Sequence, residues 1–231
     1  MNYLAILLGI LPGLIWILFY LQEDPHPEPK RMILITFIVG GLMTLPVLLL
    51  QLLAQDTLDF FDIGRNSVVM IAVLALIEEI FKFVAAFWVI NKNPEFDEPI
   101  DAMIYIVTAA LGFATVENVL IMGNIFSGTN TFLLTASLNT AFNAIALRFI
   151  GATLLHALAS GLLGYYWAVG IIKKSLPKYL GFGLILAVLV HSVFNYLIIK
   201  FQSVNFLIPS LFLVLGAIFV LVDFEKLRKM I

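Results

Sequence analysis

Residues 67–90 read SVVMIAVLALIEEIFKFVAAFWVI. At about 1.5 Å of rise per residue such a run crosses the roughly 30 Å hydrocarbon core of a bilayer as one helix. Its only ionisable residues, Glu78, Glu79 and Lys82, stand near its middle. A charged side chain at mid-bilayer costs roughly 2.5–3.5 kcal/mol on insertion scales, so such residues normally face other helices and carry a function.

Six further segments are long and apolar enough to span, near 2–21, 32–53, 100–122, 144–171, 180–200 and 205–222. They predict an all-α bundle of about seven transmembrane helices. The first lacks a basic region ahead of an apolar run too long for a signal peptide, and reads as a retained helix. The apolar stretch 131–141 is too short to span and is expected to lie along the interface or re-enter. No Pro/Gly/Ser-rich linker or internal repeat divides the chain, so residues 1–231 are expected to form a single transmembrane domain.

Composition agrees. The 231 residues are 62% hydrophobic and 12% charged, far from the roughly one-quarter charged fraction of soluble domains. A net charge of −2 gives no basis for nucleic-acid binding. The absence of cysteine removes disulfides, thiolate metal sites and a thiol nucleophile together.

Basic residues set the expected orientation, because Lys and Arg accumulate in cytoplasmic loops. Lys30, Arg31, Lys92, Lys173, Lys174, Lys178, Lys226, Arg228 and Lys229 fall at alternate helix ends, against Arg65 and Lys200 at the others. This places a multi-pass protein in the cell membrane with its N-terminus extracytoplasmic and its C-terminus cytoplasmic.

Lys82 follows Glu78 by four residues and Glu79 by three, so both carboxylates can lean towards its ammonium while diverging by about 100°. Paired carboxylates in a low dielectric compete for one proton and can act as base and then acid. The competing structural reading has Lys82 neutralise Glu78 to lock helix register, an expensive lock where apolar packing would serve. Further polar residues lie in the following helices: Glu117 and Asn118 towards the outer end of the fourth, His156 near the middle of the fifth, and His191 near the middle of the sixth with Asn195 one turn later, so that Glu78, Glu79, His156 and His191 are expected to meet near mid-membrane with Glu117 nearer the outer face. His26 falls in the acidic, Pro-rich first loop. Arg148, near the outer interface on the same face as His156, either snorkels or pairs with Glu117. Gly9 and Gly13 offer a small-residue packing face and no chemistry.

The run Glu78-Glu79-x-x-Lys82, followed by Phe113-x-x-x-Glu117-Asn118 and His191-x-x-x-Asn195, resembles the PrsW family of intramembrane proteases, within the clan of the CAAX prenyl endopeptidases and Abi proteins. Glu28-Pro29-Lys30-Arg31, Phe96-Asp97-Glu98 with Asp101 and Tyr105, Gly112-Phe113-Ala114-Thr115-Val116-Glu117-Asn118, and His156-Ala157-Leu158 extend the likeness over almost the whole chain. The resemblance implies a protease of the glutamic type that cuts in or near a transmembrane segment. In the best-known members the substrate is a single-pass anti-sigma factor. Asn195 stands where some members carry Asp, leaving it either to orient a histidine or to donate an amide to substrate.

With no Cys and no His-Glu-x-x-His spacing, the expected mechanism is carboxylate-activated water without a cofactor. Glu78 or Glu79 is the base, tuned by the other carboxylate and Lys82. His191 and Asn195 would serve the oxyanion, His156 the leaving amine or the water, and Glu117 would orient a histidine or Lys82. The expected partners are a membrane protein substrate with a transmembrane segment and the lipid bilayer. Two other classes use the same residues. One is a proton-coupled transporter; the other holds a metal through Glu78, Glu79, Glu117, His156 and His191 as oxygen and nitrogen ligands.

Overall fold

A computed structural model describes residues 3–126, 145, 148–201 and 207–230. Its helices are α1 (Tyr3–Tyr20), α2 (Lys30–Leu42), α3 (Thr44–Phe60), α4 (Val68–Ile90), α5 (Asp101–Phe126), α6 (Ala152–Ile172), α7 (Leu176–Phe201) and α8 (Leu207–Arg228). Among the described residues there is no strand. Among the described residues six spans are long and apolar enough to cross a membrane, with α2 and α3 together forming one of them. Helix α4 is as long but carries Glu78, Glu79 and Lys82. With α4 the count reaches the seven spans expected. The stretch 131–141 lies outside the described residues.

One expected helix, 32–53, is two. Pro46 has no N–H to offer the carbonyl of Leu42, and its ring crowds that carbonyl. The helix yields there, α2 ending at Leu42 and α3 beginning at Thr44. The joint span covers residues 30–60, about 46 Å at 1.5 Å per residue and longer than the hydrocarbon core is thick. Elsewhere the start of α4 is capped by Ser67, whose hydroxyl accepts from the Met70 N–H at 3.1 Å.

Helix α5 is the axis of the bundle, packed by α1, α2, α4 and α6. From Asp101 to Leu111 its side chains are essentially inaccessible. Lipid offers no hydrophobic drive for helices to associate, so close backbone approach through small residues does this work. Gly40 of α2 lies where an added Cβ would come within 2.7 Å of the Ala109 Cα, and Gly9 of α1 where it would meet the Val119 Cα at 2.6 Å. Gly13 approaches Thr115 in the same crossing, so the small-residue face expected on α1 is a packing face. Large apolar side chains such as Leu49 and Leu53 on α3, Ile185 on α7 and Phe219 on α8 point outwards, as in a protein solvated by lipid.

The two ends of the bundle differ. Arg228 at the end of α8 donates to the Glu23 carbonyl at 2.8 Å and carboxylate at 2.9 Å. His26 in the first loop meets Glu98 at 2.8 Å, and Asn93 after α4 reaches Met32. Lys226 lies over the Tyr165 ring. The C-terminal ends of α1, α4, α6 and α8 and the N-terminal ends of α2, α5 and α7 thus share one face. All nine of the basic residues at alternate helix ends belong to it.

Candidate active site

Helix α4 turns Glu78, Glu79 and Lys82 inwards, towards α5, α6 and α7. Glu79 and Lys82 are wholly buried, while Glu78 keeps 8% of its surface. The Lys82 ammonium donates to Glu79 Oε1 at 2.8 Å and Glu78 Oε2 at 3.3 Å, and lies 4.9 Å from the centre of the Phe113 ring. This is the triplet expected from spacing, and its purpose differs between the two acids.

Glu79 is saturated. It accepts from Lys82, from His191 Nδ1 at 2.7 Å, and from Ser160 Oγ at 3.0 Å. Glu78 is divided. Its Oε1 accepts from Gln51 Nε2 of α3 at 2.9 Å, and its Oε2 faces His156 Nδ1 and His191 Nε2, each at 3.7 Å.

Both histidines are held from behind. An ionised carboxylate only accepts, so His191 turns its Nδ1–H to Glu79 and His156 its Nε2–H to Glu117 Oε2, 2.9 Å away. Each ring is left with its other nitrogen aimed at Glu78 Oε2. The His156 lone pair at Nδ1 takes a hydrogen bond from Lys82 at 2.6 Å. The rings stand edge to face, with centroids 5.3 Å apart. With Nδ1 bonded to Glu79, His191 directs its Nε2 towards Glu78 Oε2.

Glu117 is fixed in turn by Arg148 at 3.3 Å, which also donates to the Asn118 amide oxygen. Asn118 then donates to Thr153 Oγ1 at 3.0 Å. Of the two readings of Arg148, the ion pair with Glu117 is the one observed. Around the histidines, the carboxyl groups of Glu78, Glu79 and Glu117 face two basic side chains, Lys82 and Arg148.

Asn195 stands apart: it is half-buried, and among the described residues no hydrogen bond joins it to the cluster. His26 lies in the loop on the basic face. Two contributors were absent from the sequence reading. Ser160 follows His156 by one turn and was legible from that spacing. Gln51 is an amide flanked by leucines in α3, a weaker signal of the same kind.

Depth also differs from expectation. Glu78 lies about 18 Å from the C-terminal end of α4, His191 about 22 Å from the N-terminal end of α7, and Glu117 and His156 each about 24 Å from the corresponding ends of α5 and α6, at 1.5 Å per residue. All of these ends lie on the basic face. The four groups therefore share one level, beyond the bundle's midpoint and towards the opposite face, instead of Glu117 alone lying outward of a mid-membrane centre.

The donor set also suits a divalent metal. Glu78, His156 and His191 each offer one ligand atom, all within 4.8 Å of one another. Two imidazole nitrogens and a carboxylate match a catalytic zinc site, and a carboxylate behind each histidine is the usual support for such ligands. The expectation of no cofactor rested on spacing along one helix, which does not test donors arriving from α4, α6 and α7.

The sequence matches the family described as PrsW family intramembrane metalloprotease over residues 28–222. Relatives named Protease PrsW include one from Oceanobacillus iheyensis, 28% identical over 91% of this chain and 90% of its own. One from Geobacillus kaustophilus is 30% identical over 83% and 78%, and one from Clostridioides difficile 28% identical over 96% and 90%. No solved structure matches the chain. Multi-pass membrane helices, the inward cluster of acids and histidines, and a match covering most of the sequence agree: this chain belongs to the PrsW family of intramembrane proteases.

Proposed function

We propose that the protein hydrolyses a peptide bond in or beside the transmembrane segment of another membrane protein, using water activated at Glu78. The observation that carries this reading is the convergence of Glu78 Oε2, His156 Nδ1 and His191 Nε2, with Glu79 and Glu117 holding the two rings from behind. Water seated there donates its protons to Glu78 Oε2 and His191 Nε2, because Lys82 already occupies the lone pair of His156 Nδ1. Glu78 takes one proton as the hydroxide oxygen bonds to the scissile carbonyl carbon. As the tetrahedral intermediate collapses and the C–N bond breaks, Glu78 returns that proton to the leaving amine. Lys82, beside the same oxygen, is the positive charge that offsets the developing alkoxide. Glu79 positions His191, and Glu117 with Arg148 positions His156.

The family resemblance makes a single-pass anti-sigma factor the natural substrate class. The basic face points to the cytoplasm, which puts the site in the outer half of the membrane and the N-terminus outside. Asn195 is assigned to contact with bound substrate.

A second reading is favoured by the same three atoms. Glu78, His156 and His191 would hold a divalent metal, which when bound polarises a carbonyl and makes bound water acidic. Lys82 must then release His156 Nδ1, the lone pair that its ammonium takes here.

The test uses purified protein in bicelles and a synthetic transmembrane peptide, with cleavage read by mass spectrometry. Glu78→Gln and His191→Ala should each abolish cleavage while remaining inserted and folded; full activity in either sinks the proposal. Metal analysis of the wild-type chain and these variants separates the two readings. One equivalent of metal lost in both variants, with cleavage lost on chelation, selects the second.

A further inference from the structure

We infer that Gln51 is a positioning residue of this reaction, setting which oxygen of Glu78 does the chemistry. The inference rests on the proposed role of Glu78 and concerns a helix, α3, that contributes nothing else to the cluster among the described residues.

Gln51 spends both amide N–H groups on one turn of α4. One goes to Glu78 Oε1 at 2.9 Å, the other to the Leu74 carbonyl at 3.4 Å. Leu74 precedes Glu78 by one turn, so the carboxamide spans the side chain and the backbone it springs from. A carboxylate on a helix otherwise rotates about its terminal torsion with little resistance, because that torsion is broad and twofold. With Oε1 held by Gln51, Oε2 is left facing Lys82, His156 and His191. Without Gln51 the two oxygens become equivalent, and the Lys82 ammonium can take both. Glu78 then becomes half of an ion pair and is withdrawn as a base.

The alternative is that Gln51 only satisfies its own amide. It is half-buried on a helix whose other faces are lined by Leu48, Leu49, Leu50, Leu52 and Leu53. An amide among leucines needs some partner, and Glu78 and the Leu74 carbonyl are those within reach. That alternative makes an apolar replacement neutral or stabilising and leaves turnover untouched, because both the amide and its burden disappear together.

The experiment uses the full chain in bicelles with the transmembrane peptide as substrate, comparing Gln51→Met, which keeps length and shape without donors, with Gln51→Glu, which replaces a donor by a like charge. A hydrogen bond to a charged group is worth about 1.5–3 kcal/mol, or roughly 10- to 100-fold. Gln51→Met should lower kcat by roughly that factor with KM within about twofold and a thermal midpoint equal to or above wild type. Gln51→Glu should lower kcat at least as far. Unchanged kcat in Gln51→Met overturns the inference, as does a loss of kcat matched by a loss of thermal stability. Glu78→Gln runs alongside: if it cleaves normally, the assigned role of Glu78 fails and the inference with it. If it is inactive while Gln51→Met turns over normally, only the inference fails.

Discussion

His191 Nδ1 lies 2.7 Å from Glu79 Oε1, and this contact gives two adjacent glutamates separate tasks. Glu79 is sealed in the bundle with three donors on it, whereas Glu78 retains contact with the outside and turns one oxygen to both histidines. The two acids should respond differently to the same substitution. Glu78→Gln is expected to abolish cleavage. Glu79→Gln keeps the shape and loses the orienting charge, and should lower kcat by about 10- to 100-fold, the range seen when groups that orient a functional histidine are removed. Initial rates on a transmembrane peptide decide it; equal losses in both variants would remove the distinction.

Arg148 should matter twice. It ties Glu117 and Asn118, and Glu117 in turn holds His156. Because both partners keep some exposure, 18% for the Arg148 side chain and 26% for Glu117, the cost of Arg148→Leu sits below that of a fully buried pair, at about 2 kcal/mol. The expected result is a lower thermal midpoint together with a fall in kcat. Arg148→Lys keeps charge without the planar fork and should recover only part of both.

How much of this was legible beforehand depends on what kind of signal each residue carried. Glu78, Glu79 and Lys82 announced themselves because charge is costly in an apolar run, and spacing alone placed both acids within reach of the lysine. The histidines were visible for the same reason, but the tautomer each adopts was not. It depends on Glu79 and Glu117 arriving from other helices, which no periodicity along a single helix encodes. Helix count and most ends followed from apolar length, whereas the break at Met43 required weighing Pro46 against the carbonyl of Leu42. Gln51 escaped because an uncharged amide in a membrane helix is commonplace, and only its position opposite Glu78 gives it meaning.

The α2–α5 crossing makes a packing prediction. At Gly112 an added Cβ would run into the Phe37 carbonyl, backbone that cannot step aside without moving α2. Gly112→Val should destabilise by about 2–3 kcal/mol, at the upper end of overpacking costs. Gly64 has nothing within 4 Å of such a Cβ, and Gly64→Ala serves as the control with no measurable shift. Thermal unfolding of purified variants in one detergent compares them; equal midpoints would show that the helices at this crossing can separate freely.

A pH dependence should arise at the basic face, far from the catalytic cluster. Glu28 accepts from the Tyr105 hydroxyl at 2.5 Å and lies beside Asp101 and Asp24, whose own carboxylate receives the backbone N–H groups of His26 and Glu28. Burial first, then the neighbouring Asp101 and Asp24 charges, push the Glu28 carboxyl up from 4.5 to about 8, with the Tyr105 hydrogen bond opposing them. The folded protein therefore keeps a proton on Glu28 that the unfolded chain has already lost. Stability from this group is fully present below about pH 4.5 and is lost as pH rises through about 8. Glu28 is partly exposed, so solvent screening trims the effect. The thermal midpoint of the wild-type protein should decline between these limits, and Glu28→Gln, which carries no titrating proton, should flatten that decline while leaving cleavage at fixed pH intact. Identical slopes for the two proteins would mean that the first loop is not held to α5 by a protonated glutamate.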